Sequence, residues 1–218
     1  SGSQPAKLNL AIMYLKGIGQ PMDVRFALDL LNQLAEKDNP RAECYLGVLS
    51  MEGLGVPVDH AQAEKWFSRA ARARNPEGEY AMGRLWSVEP DHPHDFARAA
   101  DFLRHAARAG YVPAMHALGV LLLQHSDVAK HKDAAVSFLR RASEAGTWQA
   151  SDALGILARD GGAGLPRSPD QSFFWFNIAV AQGGADNMLQ VRADLLHARD
   201  LLTPDQQERQ IDAAEDWL

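Results

Sequence analysis

Histidine and aspartate residues are concentrated in two polar segments of the chain, 87–96 and 124–133. Each segment holds a histidine pair with carboxylates nearby, namely His92, His94 and Asp91 in the first and His125, His131, Asp127 and Asp133 in the second. Two imidazole rings and a carboxylate could coordinate zinc if they converged. Nothing in the sequence requires them to converge, so we favour solvated polar loops and expect no metal site.

Cys44 is the single cysteine, so the chain cannot form an intrachain disulfide. A thiol becomes a nucleophile when a neighbouring base or cation stabilises its thiolate, and the sequence indicates neither. We interpret Cys44 as a small residue of a helix. The motifs of serine hydrolases, zinc proteases, dithiol redox sites and dinucleotide-binding folds do not occur in the sequence. We therefore expect no catalytic site and no cofactor.

A Gly-x-Gly pair, Gly53 and Gly55, raises the question of a phosphate-binding loop. The same pair stands 36 residues earlier as Gly17 and Gly19, and no Lys-Ser/Thr follows either pair. Two further residue types recur at this spacing, Pro21 with Pro57 and Asp23 with Asp59. A tandem pattern of this kind predicts a turn, in which glycine ends one helix with a positive φ and aspartate caps the next helix.

The 36-residue spacing continues through most of the chain. Five sets of residues stay in phase: Gly47, Gly83, Gly119 and Gly155; Ala42, Gly78, Ala114 and Ala150; Ala27, Ala63, Ala99 and Ala135; Leu30, Trp66, Phe102 and Phe138; and Ala35, Ala71, Ala107, Ser143 and Ala179. Each unit carries two apolar stripes of helical period, which predicts a pair of helices. A pair this short cannot bury its own apolar face, so neighbouring pairs must stack into an α-solenoid.

The pattern A…LG……GxGV..D…A..WF..AA resembles the Sel-one-like repeat, a relative of the tetratricopeptide repeat, from about Ala6 to Gly184. The resemblance implies an all-α, right-handed α-solenoid of about five two-helix repeats within one domain, residues 4–184. We expect these repeats at residues 5–40, 41–76, 77–112, 113–148 and 149–184. Residues 1–3, Ser-Gly-Ser, are interpreted as a cloning remnant. The segments 87–96 and 124–133 lack the glycine pair, so we expect different turns there.

The last part of the chain, residues 185–218, does not follow the repeat. Thr203, Pro204 and Gln206 stand at the N-cap, first and third positions of a helix, which is the spacing of a capping box. We predict a helix over Asp205–Trp217 that packs on the last repeat and caps the domain. Its apolar face is predicted from helical spacing to contain Ile211, Ala214 and Leu218.

Charge and hydropathy argue against two classes of partner. The chain has 22 basic and 28 acidic residues, a net charge of −6, which argues against nucleic-acid binding and weakly against an anionic membrane surface. No apolar run approaches the roughly 20 residues of a membrane span. We therefore expect no nucleic-acid partner and no membrane insertion.

The resemblance also implies where a partner binds. In the related tetratricopeptide fold the first helix of each pair lines a concave groove, and alignment on Gly47 assigns the groove positions. The principal candidates are Cys44, Met51, Glu52, Tyr80, Arg84, His116, Leu123, Gln124, Asp152 and Arg159. These positions vary in residue type between repeats, whereas the packing sets stay alike. Aromatic residues and arginine are common anchors at protein interfaces.

Taken with the resemblance, these features imply a non-enzymatic scaffold or adaptor that binds a protein or peptide segment in the groove. The resemblance places it in a bacterial cell-envelope or signalling context, with a periplasmic location expected and the cytoplasm as the alternative. Two other functions stay open. One is an immunity protein that neutralises a secreted toxin, and the other is a metal-binding or enzymatic protein that uses the histidine segments. The sequence does not indicate the oligomeric state.

Overall fold

The computed structural model describes residues 3–87, 95–125, 132–162, 166–184 and 188–218, with only the backbone of residue 132. Within these ranges the chain forms twelve α-helices and no β-strand, which confirms the prediction of an all-α chain built from helix pairs. The helices are α1 (Gln4–Lys16), α2 (Val24–Ala35), α3 (Pro40–Glu52), α4 (His60–Arg72), α5 (Pro76–Ser87), α6 (Phe96–Arg108), α7 (Val112–Gln124), α8 (Lys132–Glu144), α9 (Trp148–Asp160), α10 (Pro169–Gly183), α11 (Leu189–Asp200) and α12 (Pro204–Trp217).

The helices group into two compact units, unit 1 (Ser1–Ala109) and unit 2 (Gly110–Leu218). We call the first helix of each pair an A-helix (α1, α3, α5, α7, α9) and the second a B-helix (α2, α4, α6, α8, α10). Within unit 1, each helix packs on the next, and the A-helices α3 and α5 also touch. Within unit 2, α7 to α11 pack in the same order, and α7 touches α9. Each unit therefore has a surface formed by neighbouring A-helices.

The helix ends follow from the residues predicted to form turns. Gly17 and Gly53 end α1 and α3 with φ of 64° and 70°, the left-handed conformation that glycine adopts without a Cβ clash. The side chains of Asp23 and Asp59 cap α2 and α4 by accepting hydrogen bonds from backbone N–H groups, at 3.0 Å and 2.8 Å. These contacts confirm that the Gly-x-Gly pairs belong to turns.

The recurring small residues lie where an A-helix crosses its B-helix. A Cβ atom added at Gly155 of α9 would stand 2.6 Å from Cδ1 of Phe176 on α10, and Phe176 is fully buried. Gly83 of α5 has the same relationship to Leu103 of α6, also at 2.6 Å. The ring or branched side chain fills the space that the missing methyl group leaves. Phe67 and Leu139 meet Gly47 and Gly119 in the same way, so the space is filled by the residues one position after Trp66, Phe102 and Phe138, and not by the predicted large apolar set itself.

An ion pair joins the two helices of the second repeat in unit 1, and its arginine also bonds to the first repeat. The Glu43 side chain on α3 is almost fully buried, and Arg69 Nη2 on α4 contacts its Oε1 at 2.8 Å. The same guanidinium donates to the backbone oxygen of Ala35 at 2.9 Å and to Asp38 Oδ1 at 3.2 Å. Burial raises the pKa of the Glu43 carboxyl and the charge on Arg69 opposes that rise. Glu43 is therefore tolerated in the core because Arg69 accompanies it.

The C-terminal helices α11 and α12 both pack on α10. The predicted capping box is present at the start of α12, where Thr203 and Gln206 satisfy each other's backbone N–H groups. The predicted apolar face was wrong for Ile211 and Leu218, which are 41% and 61% exposed. The face turned inward instead contains Ala214 and the half-buried Trp217, together with glutamines that hydropathy does not select.

Candidate functional site

The predicted partner-binding positions of unit 1 lie on α3 and α5. Glu52 and Arg84 are exposed, and Met51 and Tyr80 are half-buried. These four residues and Val48, which is 40% exposed, make up the five-residue set that we call the unit-1 surface. It combines an aromatic ring, a thioether and an aliphatic group with charges of both signs, a mixture that suits a protein partner.

Cys44 belongs to the helix packing of unit 1 and is only 6% exposed. Its thiol donates a hydrogen bond to Asn75 Oδ1 at 3.3 Å. Burial, reinforced by the nearby carboxylates of Glu77 and Glu43, raises the pKa of the Cys44 thiol to about 12. The thiol is therefore protonated at neutral pH, which agrees with the interpretation of Cys44 as a small packing residue rather than a nucleophile.

The unit-1 surface is bordered by an exposed ion pair that bridges the two A-helices. Arg41 Nε on α3 stands 3.9 Å from Glu77 Oε1 on α5, and both side chains are more than a third exposed. Such a pair contributes little to stability in water. The pair places one positive and one negative charge at one end of the unit-1 surface, where both are accessible to a partner.

The predicted positions of unit 2 lie on α7 and α9. His116, Leu123, Asp152 and Arg159 are half-buried and Gln124 is exposed. Burial lowers the pKa of the His116 imidazole, which favours its neutral form. Burial, together with the charge of a second aspartate on α11, Asp194, raises the pKa of the Asp152 carboxyl, and Arg159 opposes that rise. Among the described residues, Asp152 Oδ1 is buried without a hydrogen-bond partner.

Arg159 is held by two carboxylates rather than left free for a partner. Its Nη1 contacts Asp194 Oδ1 on α11 at 2.8 Å. Its Nε and Nη2 donate to the two carboxylate oxygens of Asp160 at 2.8 Å and 3.0 Å. This pairing lowers the pKa of the Asp160 carboxyl and raises that of the guanidinium. The structure thus brings Asp152 and Arg159 into one charged cluster, with each nitrogen of the guanidinium already donating.

The predicted repeats end at Gly184, so the sequence pattern does not select Asp194. A signal was nevertheless present in the residue spacing. Met188 and Val191 stand 36 residues after Asp152 and Gly155, and both are buried where α11 packs on α10. The A-helix register therefore continues into α11, which places Asp194 beside Arg159.

The structure describes part of each histidine segment. Most of the residues considered there, namely His92, His94, His131, Asp91 and Asp127, lie outside the described residues. His125 and Asp133 are described, at the end of α7 and the start of α8. Across the portions of the chain with described positions, no group of three or more His, Cys, Asp or Glu residues is arranged to hold a metal ion.

Comparison with known proteins identifies the repeat. The family model described as Sel1 repeat matches residues 4–39, 40–75, 76–111, 112–147 and 149–184, which confirms five repeats of about 36 residues. A comparison with curated proteins gives no significant match. Judged on its described residues, the chain has no helix that is long and apolar enough to span a membrane.

Solved structures share the fold at low sequence identity. A Sel1 repeat protein from Oxalobacter formigenes is 22% identical, with a TM-score of 0.74 over 90% of this chain and 85% of that chain. The immunity proteins Pa5087 and PA5088 from Pseudomonas aeruginosa are 20% and 18% identical, with TM-scores of 0.54 and 0.57. Each of these two matches covers 100% of this chain, and 83% and 82% of the respective immunity protein.

The five matched segments cover most of the 218 residues, and the helix pairs have the spacing that the repeat requires. The protein therefore belongs to the Sel1 repeat family, a scaffold fold that commonly mediates protein–protein interaction and is generally non-enzymatic.

Proposed function

We propose that this chain is a protein-interaction module that binds a segment of a partner protein on its A-helix surfaces. One contrast carries the proposal. On the same A-helices, the residues that repeat are buried, whereas the residues at the predicted partner positions differ between repeats and most are at least partly exposed. Packing accounts for the first group, and its absence leaves the second group free to match a particular partner.

The unit-1 surface is the better supported of the two surfaces. Its apolar group, Val48, remains 40% exposed beside Arg84 and Glu52, whose charges are also exposed. A partner that covers this surface would bury Val48 and the half-buried Tyr80 and would place its own charges opposite Arg84 and Glu52. In unit 2 the corresponding apolar group is Ile156, which is 37% exposed on α9.

Affinity capture from a lysate of the source organism tests the proposal. The wild-type chain is compared with the double variant Val48→Arg/Arg84→Glu, which changes the shape and the charge of the unit-1 surface. A matched control, Lys65→Glu/Arg72→Glu, alters two exposed charges on the B-helix α4. Circular dichroism first establishes that all three proteins fold alike. The proposal predicts a partner that is retained by the wild type and the control and lost by the surface variant.

A second candidate function, an immunity protein, is supported by the fold. Two solved structures that match this chain over 100% of its length are immunity proteins. An immunity protein would bind one secreted enzyme and inhibit it at a 1:1 ratio, with a Kd of about 1 nM or lower, whereas an adaptor binds peptide segments with a Kd of about 1 μM. Inhibition assays against the secreted enzymes of the source organism separate the two functions, because an adaptor leaves enzyme activity unchanged.

The proposal includes a cell-envelope location and no catalytic role. Cys44 supports the absence of catalysis, since its thiol is buried and its pKa is raised to about 12. Fractionation of cells that carry the tagged full-length protein tests the location. Release of the protein by osmotic shock supports the envelope, and retention with cytoplasmic markers contradicts it.

A further inference from the structure

A cavity of about 490 Å³ opens in unit 2 where α9, α10 and α11 meet, at the end of the A-helices where α9 terminates. One side of it is polar, with Arg167 before α10, His197 on α11 and the paired charges of Arg159 and Asp160 at the end of α9. The other side is apolar and is formed by Pro169, Ala198 and Leu201. Leu201 is 58% exposed, so an apolar group remains open to solvent beside the Arg167 guanidinium and the His197 imidazole.

The polar side of the cavity is held in place by hydrogen bonds between its own groups and their neighbours. Arg159 is fixed between Asp194 and Asp160 by hydrogen bonds of 2.8 to 3.0 Å. The backbone oxygen of Asp160 in turn accepts a hydrogen bond from Arg167 Nε at 2.9 Å. Arg167 is thereby anchored through one nitrogen, while its two Nη atoms have no acceptor among the described residues.

His197 adds a second donor that the fold does not use. Its imidazole is exposed on α11, and neither ring nitrogen bonds to another residue within the described parts of the chain. An anchored guanidinium with two free nitrogens matches the geometry of a carboxylate, which accepts two parallel N–H bonds. The imidazole can donate a further hydrogen bond to the same group.

We propose that this cavity binds the C-terminal residue of a protein segment, with the terminal carboxylate on Arg167 and His197 and an apolar side chain against Pro169, Ala198 and Leu201. A terminal residue carries its carboxylate and its side chain on the same carbon atom, so both reach adjacent walls of one cavity. The carboxylate of an internal Asp or Glu stands at the tip of its own side chain and leaves the apolar wall uncovered. The inference that the ligand is part of a protein rests on the proposed interaction function.

The test uses the full-length ¹⁵N-labelled protein and a short probe, acetyl-Ala-Ala-Leu with a free carboxylate. Amide chemical shifts of Arg167, Ala198 and Leu201 report binding at the cavity. We expect saturable shifts with a Kd of about 1 mM, an affinity suited to a tripeptide. The same peptide with a C-terminal amide should bind at least tenfold more weakly, because the amide removes the negative charge.

Variants of the cavity decide whether these residues are responsible. Arg167→Gln should weaken the free-acid peptide at least tenfold, and His197→Gln should weaken it severalfold. Arg192→Gln is the matched control, since Arg192 is exposed on α11 and does not line the cavity. Equal binding of the amide, unchanged binding by Arg167→Gln, equally tight binding of acetyl-Glu-amide, or no saturable shift up to about 20 mM peptide would each overturn the inference. Capture by the unit-1 surface is measured separately, so the cavity can fail while the interaction function stands.

Discussion

Trp217 of α12 meets Trp175 of α10 edge to face, with ring centroids 5.2 Å apart and ring planes at 83°. Phe174 joins the same cluster, with its ring centroid 6.1 Å from that of Trp217. Edge-to-face aromatic pairs add to the stabilisation that burial provides. The C-terminal helix is therefore bound to the fifth repeat through one aromatic residue near its end.

Trp217→Ala should lower the free energy of unfolding by about 2 kcal/mol, because it removes a half-buried ring and two aromatic contacts. Urea titration followed by circular dichroism measures the change. Ile211→Ala is the matched control on the same helix, since Ile211 is 41% exposed and should change stability by less than about 0.5 kcal/mol. Equal effects of the two substitutions would show that α12 is not held by Trp217.

Arg69→Met should destabilise the protein by about 2 kcal/mol at pH 7, because it leaves the Glu43 carboxylate buried without its counterion. That figure is reduced from the usual cost of breaking a buried pair because the Arg69 side chain is 40% exposed. Methionine keeps most of the aliphatic stem, so the loss combines the missing counterion with the missing hydrogen bonds to Ala35 and Asp38. Urea titrations of the two proteins at pH 7 measure it.

The same variant has a defined pH dependence. Burial holds the folded-state pKa of Glu43 above its unfolded value, so the charged carboxylate costs stability at neutral pH, and this cost declines as pH falls through the folded-state pKa. Without Arg69 the pKa rises further. The stability difference between Arg69→Met and wild type should therefore be smaller at pH 5 than at pH 7. Arg72→Met, an exposed arginine on the same helix, should show no such trend, and a constant deficit in Arg69→Met would contradict the account.

Gly155→Ala should destabilise the protein by about 2 kcal/mol. Alanine is the better helix former by about 1 kcal/mol, yet its Cβ would stand 2.6 Å from a ring atom of Phe176, which is fully buried and cannot move away without disturbing the core. Thermal or urea unfolding measures the change. Gln149→Ala, at an exposed position on α9, serves as the control and should be nearly neutral. A stabilised Gly155→Ala would mean that the two helices can separate at low cost.

Cys44 should resist thiol reagents in the folded protein. Its pKa of about 12 leaves little thiolate at pH 8, and burial restricts access to the sulfur. Reaction with a disulfide reagent monitored by absorbance should be at least about 100-fold slower in the native protein than in urea. Comparable rates in the two states would contradict the placement of Cys44 in the packed interior.

The repeat and its turns were predictable because they rest on local rules. Asp59 recurs 36 residues after Asp23 at a helix start, and each side chain accepts the expected N–H bond. The glycines of the first set recur because a methyl group would collide with the facing helix, as at Gly155. Packing restricts these positions in this chain, so their regular spacing reveals the helices.

Other features depend on residues that do not stay alike. The position that ends each of four B-helices in a left-handed conformation holds Asp38 and Arg74, with φ of 52° and 56°, and then Gly110 and Gly146. These four positions are 36 residues apart, but their residue types differ. A comparison of residue types therefore does not identify them as a repeated position. The inward face of α12 was missed for a related reason, since Gln207 donates to the backbone oxygens of Arg199 and Leu202 and packs without being apolar.

The predicted partner-binding positions stay a prediction, because exposed residues are not constrained by packing. Cys44 and Arg159 show two ways in which a residue at a predicted groove position is unavailable to a partner. The first is enclosed by the fold, and the second is engaged by Asp160 and Asp194, although both occupy positions that the helix register assigns to the groove. Register gives the face of a helix, whereas neighbouring side chains decide which residues on that face remain available.

The central claim is that the A-helix surface of unit 1 binds a partner protein, and the dissociation constant of the captured partner tests it most directly. Isothermal titration calorimetry compares the wild type, Val48→Arg/Arg84→Glu on the unit-1 surface, and Lys65→Glu/Arg72→Glu on α4. We predict at least a tenfold increase in Kd for the surface variant and a Kd within about twofold of the wild type for the α4 variant. An unchanged Kd for the surface variant, or a loss of binding by the α4 variant alone, would contradict the claim and move the binding site to the B-helices.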